Sequence, residues 1–104
     1  MPEYRRRRRR VDYSAYASTP LIEAAERYER LYEVIKLLEW LLERQPDNRF
    51  ASQVGDGHWL IKSEDGPPMF GPGIPGVTMI YTFDDEVVTI WGARVEPPPQ
   101  IDYA

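Results

Sequence analysis

Hydrophobic and polar positions along the chain change period near its middle, from helical to strand spacing. Leu21, Ala24, Tyr28, Leu31, Ile35, Leu38 and Leu42 recur at intervals of three and four, which draws one apolar stripe along a helix. Val34, Leu37, Trp40 and Leu41 widen that stripe toward its C-terminal half. Ser18-Thr19-Pro20 predicts the start, with Thr19 as cap and Pro20 in the first turn, and Pro46 predicts the stop. No glycine or proline interrupts residues 21–45, so the pattern predicts one helix of roughly 37 Å or a helical hairpin broken near Arg30–Glu33. Ahead of it, residues 9–16 alternate like a first strand.

Period-two patterning governs the second half. Residues 48–54 suggest a short strand, Gly55-Asp56-Gly57 a tight turn, and His58-Trp59-Leu60-Ile61-Lys62 a strand. Alternation puts Trp59 and Ile61 on one face of that strand, and His58, Leu60 and Lys62 on the other. Residues 64–76 are dense in glycine and proline and predict a long loop. Residues 77–83 and 87–95 form a hairpin around Asp84-Asp85-Glu86, and Pro97-Pro98-Pro99 ends it. The expected architecture is α+β: an N-terminal strand, a long helix or helical hairpin, then a three- or four-stranded antiparallel sheet packed on the helix. The expected organisation is a basic arm at 1–10, one domain at 11–96 and a Pro-rich tail at 97–104.

Composition narrows the chemistry. The 104 residues include no cysteine and one histidine, which leaves no thiolate nucleophile and no Cys/His zinc set. No apolar run approaches the roughly 20 residues of a membrane span, so a cytoplasmic protein without metal or cofactor is the expectation. Net charge is −4, but it is unevenly placed. Arg5, Arg6, Arg7, Arg8, Arg9 and Arg10 form one tract, and from Val11 onward seven basic residues face sixteen acidic ones. The tract is the candidate nucleic-acid contact, since cations displace counterions from phosphates. The acidic body would repel a phosphate chain.

No phosphate-cradling glycine loop is present, because the glycines of residues 71–73 flank a proline. What remains is a set of cationic and proton-transfer groups on the predicted sheet: His58, Lys62 and Arg94, with Tyr81 and Tyr103 as accessories. RNA cleavage by its own 2′-hydroxyl needs a base, an acid and cations around the phosphorane, and these side chains are of the suitable types.

The order of elements, the strand His58–Lys62 with its lysine, and the hairpin of residues 77–90 with an acidic turn and a valine-rich return resemble the RelE/ParE superfamily of bacterial toxin–antitoxin modules. The resemblance covers residues 9–95. It implies a toxin, either a ribosome-dependent, metal-independent mRNA endoribonuclease or a gyrase-directed poison, partnered by an antitoxin, with a homodimer left open. It also implies that Lys62 takes the place of a strand lysine, Arg94 of a late-strand cation and Tyr103 of a C-terminal tyrosine. The alternative from a different class is a non-catalytic protein-interaction module.

Overall fold

In the computed structural model, residues 8–65 and 73–98 are described. In chain order they form β1 (Arg10–Tyr13), α1 (Ala15–Ala25), α2 (Leu31–Arg44), β2 (Ala51–Gly55), β3 (His58–Lys62), a 3₁₀ turn (Ser63–Asp65), β4 (Gly76–Phe83) and β5 (Val87–Glu96). The α+β class is as expected, but the sheet is larger and differently connected. It has five strands in the order β1-β5-β4-β3-β2. The pairings β2–β3, β3–β4 and β4–β5 are antiparallel, whereas β1 runs parallel to β5 from Arg10↔Val87 to Tyr13↔Ile90. The sheet is therefore mixed, not purely antiparallel. A parallel neighbour cannot be reached through a hairpin turn, and here the whole chain between β1 and β5 serves as the connection.

The helical segment is two helices, and its boundaries correct the sequence expectation at both ends of α1. Ser14, not Thr19, is the cap: its Oγ accepts from the Ala17 N–H at 3.2 Å. That capping ends β1 at Tyr13 and draws residues 15–18 into the helix. Pro20 consequently lies inside α1. It removes the N–H that would bond the carbonyl of Tyr16, and Tyr16 faces solvent at 85% exposure. The break between the helices falls at residues 26–30, just before the segment named for it. There the Arg27 and Tyr28 N–H groups both turn back onto the Ala24 carbonyl at 2.9 Å, and Arg30 bridges to Glu33 at 3.0 Å at the start of α2.

Both helices lie on one face of the sheet and share one core with it. Ala17, Leu21 and Ala24 of α1, and Leu31, Val34, Leu38 and Leu42 of α2, are buried against Ile61, Val77, Met79, Tyr81, Val88 and Ile90. Every one of the sheet residues comes from the face that strand alternation assigns to Trp59 and Ile61. Tyr81 is fully buried there and donates its hydroxyl to the Pro46 carbonyl, fastening the end of α2 to the sheet. Burial raises the Tyr81 phenol above its ordinary range. Tyr13 of β1 similarly donates to Glu39 of α2. Among the described residues no helix is long and apolar enough to cross a membrane.

A candidate interaction face on the open sheet

Among the described residues no helix covers the opposite face of the sheet, and its side chains fall into three rows across the strands. Lys62 pairs with Thr78, and Thr78 with Arg94. Leu60 pairs with Ile80, and Ile80 with Gly92. One residue further along the ladder, His58 comes level with Thr82, which pairs with Thr89. Directly paired residues share a face, so His58, Lys62 and Arg94 stand together on the open side.

The middle row is a groove of about 320 Å³ lined by Leu60, Thr78, Ile80, Gly92, Ala93 and Arg94. For scale, a dry cavity of roughly 150 Å³ accepts a benzene ring, so the groove has room for more than one apolar side chain. Gly92 makes it possible. A Cβ at Gly92 would come within 3.1 Å of Ile80 Cγ2, so any larger residue would crowd the floor. The ladder skips one residue here: Ile80 faces Gly92 but Tyr81 faces Ile90, which leaves Trp91 unpaired as a bulge. The bulge turns the indole onto the open face, where it is 49% exposed. Its N–H donates to Thr82 Oγ1 at 2.9 Å, and its carbonyl accepts from Ser14 Oγ at 2.8 Å. An apolar groove, an exposed indole fixed by a hydrogen bond and a row with two cations thus share the open face.

Distances decide what this face can do. Lys62 and Arg94 are two ladder spacings apart, about 10 Å between backbones, with the Thr78 hydroxyl between them. His58 is four strand residues from Lys62, about 13 Å. His58 Nδ1 lies 3.0 Å from the Asp56 carbonyl; a carbonyl only accepts, so Nδ1 holds the proton and Nε2 is the free acceptor. Arg94 Nε is 3.1 Å from Glu96, an exposed ion pair that occupies part of its charge. The three groups share a face, with His58 set apart by four strand residues from the row Lys62–Thr78–Arg94.

The other sequence candidates are placed as follows. Tyr81 is on the helix-covered face with its hydroxyl engaged by Pro46, away from the open side. Tyr103 and Arg5, Arg6 and Arg7 lie outside the described residues. Arg8 is exposed. Arg9 is built into the fold: its N–H donates to the Glu43 carbonyl at 3.0 Å, its Nε to the Asp84 carbonyl at 2.7 Å, and its guanidinium lies 5.5 Å from the Phe83 ring centre. Arg10 begins β1 and its Nε reaches Asp12 at 2.9 Å. Arg9 and Arg10 therefore sit beside Asp84-Asp85-Glu86, where the acidic turn partly offsets their charge. Among the described residues no cluster of three or more His, Asp or Glu side chains could hold a metal ion.

Sequence patterning missed Trp91, Gly92, Ile80 and Thr82 as site residues. The signal was Gly92 in the interior of an alternating strand, where a glycine marks a bulge or a close approach. Compared with models of protein families, with curated proteins and with solved structures, the chain shows no match.

Proposed function

We propose that this chain is a toxin-like module of RelE/ParE architecture that acts by binding a protein target through the open face of its sheet, not by cutting RNA. The observation that carries this reading is the apolar groove of Leu60, Ile80 and Gly92 on the face that no described helix covers, with Arg94 in its lining, Lys62 in the next row and the exposed Trp91 beside Gly92 in the chain. Interface centres are apolar and enriched in tryptophan and arginine, and this groove has that composition. A general base must come within hydrogen-bond reach of the proton it takes, and the backbone of His58 stands four strand residues, about 13 Å, from that of Lys62, outside the row that carries the two cations. The acidic body adds to the argument, because a phosphate chain longer than the Lys62–Arg94 rim would run onto negative surface. A gyrase-like or other protein target and a protein antitoxin both fit this mode.

The second reading, mRNA cleavage, is favoured by one observation: the row Lys62–Thr78–Arg94 sets two cations and a hydroxyl in line. Induced expression in a bacterial host tests the toxin proposal. The wild type is expected to arrest growth, and Ile80→Asp/Trp91→Ala, which spoils the groove on the solvent side, to relieve the arrest at equal soluble expression. Unchecked growth with the wild type would sink the toxin reading.

A further inference from the structure

Among the described residues the two outer strands of the sheet, β1 and β2, each leave one edge unpaired, and these edges differ in chemistry. The β1 edge is four residues long and carries Arg10 and Asp12, joined at 2.9 Å. The β2 edge, Ala51-Ser52-Gln53-Val54-Gly55, has neither charge nor proline, and Ser52 through Gly55 are exposed, Val54 to 49%. A free edge offers a row of backbone donors and acceptors to any incoming strand, and folds that avoid pairing guard it with charge, proline or a bulge; β2 has only a register break, confined to its C-terminal end between Gln53 and Gly55. On β2 the charges sit instead at the two ends. Arg49 precedes the strand, Asp56 follows it, and both are exposed.

We propose that β2 pairs antiparallel with β2 of a second copy of this chain, about a twofold axis at Ser52, so that Ser52 faces its own copy. Reversal of the second strand, with the extra residue of the break between Gln53 and Gly55 counted in, brings Arg49 of each copy beside Asp56 of the other, giving two unlike pairs per contact. A parallel approach would set like beside like, so the flanking charges select the antiparallel arrangement. Elsewhere the negative body opposes association; along β2 the charge is neutral at the centre and self-complementary at the ends. The register break between Gln53 and Gly55 leaves Ala51–Gln53 regular for pairing at the axis. Such a contact is isologous and closes on itself. It continues the sheet from five strands to ten and sets both open faces on one side. The two Ile80 grooves then lie five strand spacings apart, about 24 Å.

Sedimentation equilibrium of the full chain, from low micromolar to several hundred micromolar, tests this. The expected mass rises from 12.2 kDa to twice that value with concentration. Ser52→Lys, which sets two ammonium groups at the axis, is expected to remain monomeric, as is Val54→Lys. Arg49→Asp and Asp56→Arg should each weaken the dimer about tenfold, the scale of two surface ion pairs reversed. Together they should restore wild-type association. Circular dichroism confirms folding of each variant, and the charge reversals test the contact independently of the lysine substitutions. A chain monomeric throughout, a dimer indifferent to Ser52→Lys and Val54→Lys, or a double reversal as weak as the singles would overturn the proposal.

Discussion

Trp91 donates its indole N–H to Thr82 Oγ1 at 2.9 Å, across the register break of the β4–β5 ladder. The bulge provides the turn of backbone and the hydroxyl fixes the ring, so the exposed indole on the open face is set before any partner arrives. Thr82→Val keeps the shape and removes the acceptor. Because the bond is solvent-exposed, stability should fall by less than about 1 kcal/mol. The Trp91 indole proton should nevertheless lose its protection from exchange in nitrogen-correlated NMR spectra; unchanged protection would show that the ring is held otherwise.

Gly92 and Ile80 make a second coupled pair. Gly92→Ala places a Cβ within 3.1 Å of Ile80 Cγ2, and such crowding costs about 1 kcal/mol where the neighbour can partly give way. Ile80→Ala removes the methyl that is crowded. Gly92→Ala made on that background should be neutral or stabilising, and the double-mutant cycle in urea should show the coupling directly. Strict additivity would place the clash elsewhere.

Tyr81 and Pro46 join the end of α2 to the sheet. Tyr81→Phe strands a buried carbonyl and should cost about 1–3 kcal/mol. The phenol is raised in the folded state by burial and by Asp47, so the neutral form is favoured by folding. Its contribution is fully present below the ordinary tyrosine range, near 10, and is lost as pH rises through the folded value. The gap between wild type and Tyr81→Phe should therefore close at strongly alkaline pH in denaturant titrations. A constant gap would mean that the hydroxyl does not couple to folding.

Much of this fold is legible in the sequence, and the failures have physical causes. β3 begins and ends where its alternation says, because its two faces see different environments: Ile61 the core, Lys62 water. The β4–β5 hairpin is equally plain, since Asp84 Oδ1 accepts from the Glu86 and Val87 N–H groups at 2.8 Å each, a local turn needing no tertiary help. The start of α1 misled because Ser14 and Thr19 are both competent caps. Tertiary pairing of β1 with β5 decides between them by fixing the chain up to Tyr13. The parallel pairing itself joins residues nearly 80 apart, which no local pattern encodes. On the site, composition found Lys62, Arg94 and His58, and alternation grouped His58 with Lys62. The spacing that separates them, and the bulge that presents Trp91, exist only once the ladders are registered.

The Asp84 turn yields an acid-side prediction. Hydrogen bonds from Glu86 and Val87, and then Arg9 and Arg10, hold this carboxyl below its ordinary 3.8. A depressed group stabilises above its unfolded value and ceases to do so as pH falls through the folded one. Asp84→Asn should therefore be destabilising at neutral pH, with the difference vanishing as pH falls through the lowered value of this carboxyl. Urea midpoints across that range check it, and a difference that persists in acid would contradict the assignment.

The central claim is that this chain binds where its resemblance would allow it to cut. The most direct test is primer-extension mapping of a reporter mRNA in bacterial cells arrested by the induced wild type, beside cells expressing Lys62→Ala/Arg94→Ala. Arrest with intact mRNA is the predicted result, with the double substitution weakening arrest only through the groove's rim. New cleavage ends in the wild type that disappear in the double substitution would contradict it and establish Lys62 and Arg94 as catalytic.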